Sequence, residues 1–420
     1  MVTQQSDIRD AEGAPQKIEV GTPAFIRTNL ALFTAGLATF ALLYSVQPLL
    51  PAFSDQFHVS ATTASLSLSL TTAFLAVSML VAGAFSESWG RKPMMVASLL
   101  LSSLLALVSA VLPHWGTFLV VRALMGVALS GLPAVAMAYV GEEMHPRSLN
   151  LAMGLYVGGT GLGGMSGRLL VGVITDFWGW RTALLSIGVL GLVCALILWR
   201  CLPASRHFVR SPPSLRGLSR TYASHLRDSA LPWLFAEAFM LMGGFVTIYN
   251  YVGYRLMAAP FFLSQSQIGL IFAVYLLGVF SSAWTGVLAA RFGRPTMLPI
   301  AFVLMLVGTL LTCAGSLWVI ITGIAILTVG FFSTHSIASA WVGARAKVGR
   351  AQATSLYLFA YYLGSSVVGS LGGVFWSHDG WNGVTTMTGV LLLVALGVAW
   401  KLRRPDTSSP AISASRSCAS

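Results

Sequence analysis

Apolar residues in this chain run on continuously, in stretches of about 20, the length a helix needs to cross the hydrocarbon core of a bilayer. The pattern predicts twelve spans, over 28–50, 64–85, 93–112, 117–140, 152–173, 182–200, 231–254, 267–290, 295–313, 317–340, 353–375 and 384–400. Most of the short linkers hold Gly, Pro, Asn or a charge. A transmembrane barrel would instead show shorter segments of alternating polarity. The expected fold class is therefore an all-α membrane protein of twelve transmembrane helices.

Composition agrees. Hydrophobic residues make up 56% of the 420 and charged residues only 9%, against about 25% in soluble domains. So few charges cannot cover a water-facing surface, which excludes an ordinary soluble enzyme and a disordered chain. Cys194, Cys201, Cys313 and Cys418 are scattered, with no CxxC spacing and no His cluster, so neither a disulfide framework nor a metal site is expected. No cofactor motif appears. The polar N-terminus has no apolar core of signal-peptide type.

The net charge of +12 raises the question of nucleic acid, and the placement of the charges argues against that partner. With the N-terminus in the cytoplasm, 21 of the 25 Lys and Arg fall on the cytoplasmic side. They are Arg9, Lys17 and Arg27 in the tail, Arg91 and Lys92 after span 2, and Arg147 after span 4. Six lie around the central loop, at Arg200, Arg206, Arg210, Arg216, Arg220 and Arg227. Arg291 and Arg294 follow span 8, Arg345, Lys347 and Arg350 follow span 10, and Lys401, Arg403, Arg404 and Arg416 close the chain. Only Arg181 and Arg255 fall outside, while Arg122 and Arg168 lie within spans. This bias places both termini in the cytoplasm and sets basic side chains against anionic lipid headgroups.

The chain also repeats itself. Gly83-Ala-Phe-Ser-Glu87-Ser-Trp-Gly90-Arg91-Lys92 follows span 2, and Gly286-Val-Leu-Ala-Ala290-Arg291-Phe-Gly293-Arg294 follows span 8. Leu155-Tyr156 in span 5 matches Leu356-Tyr357 in span 11, and Gly179-Trp180-Arg181 matches Gly380-Trp381-Asn382. Five parts follow: a disordered tail over 1–27, a six-helix half over 28–200, a flexible cytoplasmic loop over 201–230 containing SPPSLRG, a second six-helix half over 231–400, and a tail over 401–420. The halves are expected to be related by an axis along the membrane normal.

Twelve spans, a doubled loop motif and a central loop resemble the major facilitator superfamily over nearly the whole chain. The run LYSVQPLLP at 43–51 is similar to inner-membrane transporters of its bacterial drug/proton-antiporter branch. The resemblance implies a conformational latch built on Gly83, Glu87, Gly90, Arg91 and Lys92, with Glu142 and Glu143 as acidic partners. It would close the cytoplasmic side in the outward-open state and separate when the protein opens inward. The second copy, Gly286, Arg291, Gly293 and Arg294, has Ala290 in place of the acid and implies a weaker latch. Arg122-Ala-Leu-Met-Gly126 resembles the span-4 pattern R-x-x-Q-G associated with proton coupling, with Met125 replacing Gln; the alternative is an Arg snorkelling outward. Gly159, Gly163 and Gly164 match the antiporter motif of span 5, although Thr160 stands where its Pro is expected. Arg168, further along, either faces the cavity or snorkels.

Glu237 is the one acid predicted inside a span, and a carboxyl in an apolar setting suits proton uptake and release. The alternative is a headgroup-level Glu paired with Arg227. His335, near the inner end of span 10, is the second titratable coupling residue, unless it is a satisfied helix-end His. Aromatic rings with polar tips suit amphipathic organic solutes. Tyr44, Gln47, Asn250, Tyr275 and Tyr361 are accordingly expected to line the substrate cavity. Trp115, Trp178, Trp180, Trp233, Trp318, Trp341 and Trp400 fit an aromatic belt. No Walker motif, HExxH or GxSxG appears, so neither ATP-driven transport nor a membrane enzyme is expected. The expectation is a monomeric, proton-coupled secondary transporter of the bacterial inner membrane that exports a small drug-like or sugar-like organic solute. The alternative is a facilitator or symporting importer of a metabolite or sugar.

Overall fold

The computed structural model describes residues 17–208 and 215–403. Arg9, Arg210, Arg404, Arg416, Cys418 and most of SPPSLRG lie outside the described residues. The chain order is α1 (Pro23–Tyr44), α2 (Leu50–Phe57), α3 (Ala61–Trp89), α4 (Arg91–Val111), α5 (Trp115–Leu129), α6 (Pro133–Glu143), α7 (Pro146–Cys201), α8 (Leu215–Leu226), α9 (Leu231–Met257), α10 (Gln265–Ile271), α11 (Tyr275–Phe292), α12 (Arg294–Leu311), α13 (Leu317–Arg345) and α14 (Arg350–Leu402). At 1.5 Å per residue, α7 would be roughly 84 Å long if straight, nearly three bilayer cores. It turns back at Gly179 (φ 79°, ψ 163°). Helix α14 does the same at Asp379 and Gly380. Each therefore supplies two spans, and the predicted twelve crossings are present.

Local sequence explains the remaining breaks. Span 1 stops at Tyr44 ahead of Pro48 and restarts as α2 with Pro51 in its first turn. Span 4 breaks between α5 and α6 at Gly131 and resumes with Pro133. The repeated loop motif is a repeated shape. Gly90 (φ 97°, ψ 151°) and Gly293 (φ 85°, ψ 141°) each end one helix and start the next, in a region that only glycine enters without strain.

Two expectations are corrected. Residues 17–27 are tied down rather than disordered. Ile18 N–H donates to Glu143 O at 2.9 Å and His145 N–H to Ile18 O at 2.9 Å, and α1 begins at Pro23 behind a Thr22 cap. The polar tail finds backbone partners in the loop between spans 4 and 5, so order costs it no lost hydrogen bond. The central loop is likewise not wholly flexible, because α8 forms within it. The Tyr222 hydroxyl donates to Leu80 O at 2.7 Å, and His225 Nε2 lies 3.0 Å from Gly349 O.

The surface is inverted relative to a soluble protein. Phe280, Trp284, Val287 and Trp318 are among its most exposed side chains, while Arg122, Arg168 and Glu237 are buried. Lipid gives helices no hydrophobic drive to associate, so close packing through small residues matters more. A Cβ on Gly163 would strike the Leu37 carbonyl in α1, and one on Gly364 would strike the Phe239 carbonyl in α9. Spans 1 and 5 thus pack as spans 7 and 11 do. Trp115 and Trp180 are drawn from the expected belt into a cluster with Phe53, at 5.8 and 5.3 Å between ring centroids. Trp178, Trp318 and Trp400 stay exposed.

Candidate functional site

The halves meet along a seam that differs at its two ends. On the side away from the termini it is closed. Gln47 Nε2 donates to Asn250 Oδ1 at 2.7 Å, and Ser54 Oγ lies 2.7 Å from the Tyr254 hydroxyl. Asp176, at the turn in α7, accepts from the N–H groups of Gln265 (3.1 Å) and Ser266 (2.7 Å) that open α10. Carboxylate at a helix N-terminus is favoured by the exposed N–H groups and the helix dipole. On the termini side the seam holds a cavity of about 500 Å³, lined by Met79, Glu87 and Arg91 of one half, Arg350 and Leu358 of the other, and Tyr222 of α8.

The predicted latch residues are only partly gathered. Arg91 is clasped by Glu142, with Nη2 at 2.6 Å and Nε at 3.2 Å, and also donates to Ser86. Both partners belong to one half, so the pair joins α4 to the end of α6 and does not itself cross the seam. Glu143 goes elsewhere. Its carboxylate accepts from the N–H groups of Arg206 and His207 and faces His207 Nδ1 at 2.9 Å. Lys92 donates to Leu202 O, Glu87 and Gly83 line the cavity, and Gly90 supplies the turn. In the second copy, Gly286 and Arg294 border a separate cavity of about 440 Å³. Arg291 lies over its neighbour Phe292, and Gly293 supplies the turn.

The ion pair that closes this end of the second half was not anticipated. Arg345 Nε lies 3.2 Å from Asp228 Oδ1, which also accepts from the N–H groups of Ala230 and Leu231, both at 2.9 Å. Burial pushes the Asp228 carboxyl up, but those two N–H donors and the Arg345 guanidinium outweigh it and hold it below the usual carboxylate range. The signal was available: an Asp just ahead of an apolar helical run is a helix-capping residue.

Arg122 does not snorkel. It is 1% exposed and donates to Ser67 O at 2.9 Å and Leu43 O at 3.1 Å, with Met125 Sδ at 3.3 Å. Leu43 is in the last turn of α1, where carbonyls lack helical partners. A guanidinium there satisfies an acceptor and complements the helix dipole. Arg168 also points inward. Its Nε donates to Gln47 Oε1 at 2.7 Å, and its guanidinium lies over Tyr44 (4.3 Å), Tyr275 (4.8 Å) and Phe272 (5.1 Å). Gly159 and Gly163 pack against α1, while Gly164 O accepts from Arg168.

Glu237 is 0% exposed, and neither carboxyl oxygen has a hydrogen-bond partner among the described residues. It is not paired with Arg227 at a headgroup level. Tyr357 lies within its electrostatic reach, and the Tyr357 hydroxyl is 3.0 Å from His335 Nδ1. The His335 ring in turn packs 5.0 Å from Tyr361. Sequence reasoning named Glu237, His335 and Tyr361 separately. The residue that His335 meets is Tyr357, which the repeat with Tyr156 had marked. Of the predicted cavity residues, Tyr44, Gln47, Asn250 and Tyr275 gather around Arg168, and Tyr361 stands with His335.

Comparison with known proteins gives the same architecture. The sequence profile described as Major Facilitator Superfamily matches residues 31–262 and 238–417. The inner membrane transport protein YnfM of Escherichia coli K12 is 50% identical over 391 residues, 93% of each chain. The MFS-type transporter YybF of Bacillus subtilis 168 is 47% identical, covering 92% of this chain and 96% of its own. A bacterial homolog of the human lysosomal transporter Spinster, in an inward-facing unoccupied conformation, superposes with a TM-score of 0.73 at 16% identity. It covers 91% of this chain and 98% of its own.

Proposed function

The chain belongs to the major facilitator superfamily and is a multi-pass membrane transporter, and from that premise we propose that it exports a small organic solute from the cytoplasm in exchange for protons. The two halves rock about the seam, so that the central residues face one side of the membrane at a time. The termini side is the cytoplasm, a reading supported by the 21 to 2 division of Lys and Arg. The working membrane is the bacterial inner membrane, and the transporter acts as a monomer.

The observation that carries proton coupling is Glu237. An ionised carboxylate with no hydrogen bond, buried in an apolar helix bundle, is costly. Protonation removes that cost, so Glu237 holds a proton while the far side is sealed. Access of water from the cytoplasmic side lets the proton leave, and the hydrogen-bonded pair Tyr357 and His335 serves as the relay. Arg122 stays charged at any working pH and sets the field within the first half without carrying the proton. The Arg91–Glu142 pair holds the ends of spans 3 and 4 as one body, and Arg91 lines the cavity that opens and closes on the cytoplasmic side.

The test is proton flux in proteoliposomes, driven by a panel of organic solutes. A solute that drives proton movement opposite to its own supports export by exchange. Solute movement indifferent to the pH gradient points to a facilitator.

A further inference from the structure

Among the described residues, none of the partners of Arg168 carries a charge that answers its own. It is 2% exposed, and among the described residues no carboxylate lies within 4.0 Å of it. Its oxygen partners are neutral, Gln47 Oε1 and Gly164 O, and its other neighbours are three aromatic rings. A guanidinium keeps its charge under all working conditions. A bare charge in such a place normally has a counterion.

Close by, two buried polar atoms have no hydrogen-bond partner: Asn250 Nδ2 and Ser69 Oγ. Both flank Gly369, where a Cβ would come within 3.3 Å of the first and 3.9 Å of the second. A Cβ there would also meet Val246 Cγ1 at 3.2 Å, so the glycine lets these side chains approach one another closely. Gln47 links the two sets, because its oxygen accepts from Arg168 while its nitrogen donates to Asn250. A buried cation and the Asn250 amide, whose nitrogen is idle, thus meet at the Gln47 amide at the seam between the halves.

We propose that Arg168 anchors an anionic group of the transported solute, and that this anion displaces Gln47 Oε1. The class is an organic monoanion with an aromatic or apolar body: the carboxylate or sulfonate takes the guanidinium fork, and the rings of Tyr44 and Tyr275 hold the body. Displacing Gln47 also breaks its bond to Asn250, which is one of the contacts that close the far side. Binding of the anion therefore loosens the seal it must pass. This inference rests on the transport reading above and adds the substrate's charge to it.

The probe is 2-naphthoate, with 2-naphthamide and 2-naphthylmethylamine as neutral and cationic matches, titrated onto the full chain in phosphatidylcholine nanodiscs. Naphthoate is expected to bind saturably and at least tenfold tighter than either match. Arg168→Gln is expected to weaken naphthoate at least tenfold and to erase the preference for charge. Gln47→Glu is nearly isosteric and gives Arg168 a built-in carboxylate. It loses the Gln47 Nε2 donor to Asn250 Oδ1, so the Asn250 amide must turn its idle Nδ2 to the new carboxylate. It is expected to weaken naphthoate by a similar factor, which keeps the test open if Arg168→Gln fails to fold. Glu237→Gln is expected to leave naphthoate binding intact. Loss of proton exchange with naphthoate binding preserved would therefore fault the coupling and not the anion site. Equal binding of the three probes, no binding of naphthoate, or unchanged naphthoate affinity in Gln47→Glu would overturn the proposal. So would competition by phosphatidylglycerol added to the discs, which would assign the site to a lipid headgroup.

Discussion

The imidazole Nδ1 of His335 lies 3.0 Å from the hydroxyl of Tyr357, joining span 10 to span 11 beside the buried Glu237. A hydroxyl both donates and accepts, so in the proposed exchange this pair serves as a proton relay. His335→Gln keeps a hydrogen bond to Tyr357 but removes the titrating ring. It is expected to slow proton-linked export several-fold without abolishing it, measured as initial rates in proteoliposomes. Loss as complete as that from removing the Glu237 carboxyl would make His335 the carrier itself.

The inner cluster makes a second prediction. Arg91→Ala strands Glu142, which is 30% exposed and can reach water, so expression is expected to hold. Transport is expected to fall at least tenfold, and cysteines placed in the cavity on the termini side to label faster. Wild-type rates would reduce Arg91 to an orientation signal.

Asp228 caps α9 and holds Arg345. Asp228→Ala is expected to cost about 1 kcal/mol for the cap, read as a lower melting temperature, with Asp228→Asn milder. Because the folded carboxyl sits below its usual range, its contribution is full above the unfolded value of about 3.9 and fades as pH falls through the folded one. Any pH dependence of transport between pH 5 and 8 therefore arises elsewhere. A rate profile in that window that flattens in Asp228→Asn would contradict this.

Much of the fold was legible because crossing a bilayer constrains sequence strongly. Run length gave the twelve spans, and the repeat at Gly90 and Gly293 gave the two halves, since the turn demands glycine in both copies. The seam was not legible. Arg168, Gln47 and Asn250 lie in three different spans, and the rotation of each helix about its axis depends on partners the sequence does not name. That is also why Arg168 could not be assigned inward or outward, and why Glu143 was set beside Arg91 when the strand of chain after span 6 claims it. Order in residues 17–27 and in α8 depends on tertiary contacts of segments that read as polar linker.

Arg122 satisfies Leu43 O at the break in span 1. Arg122→Ala frees that carbonyl and empties a buried site, so a loss of about 2 kcal/mol in stability is expected from the missing charged hydrogen bonds, with membrane insertion retained. Export is expected to fail. Arg122→Lys keeps the charge without the planar fork and is expected to transport at a small fraction of the wild-type rate. A wild-type rate in Arg122→Ala would leave the residue with no part in transport.

The central claim is that Glu237, buried with both carboxyl oxygens unpartnered, carries the exchanged proton. The most direct measurement is solute export by Glu237→Gln in proteoliposomes, with and without an imposed pH gradient, alongside solute exchange at equal pH. The Gln side chain keeps the shape and removes the titration. The account predicts that gradient-driven export disappears while solute exchange at equal pH persists. Export by Glu237→Gln that still follows the pH gradient would contradict it and place the proton on another group.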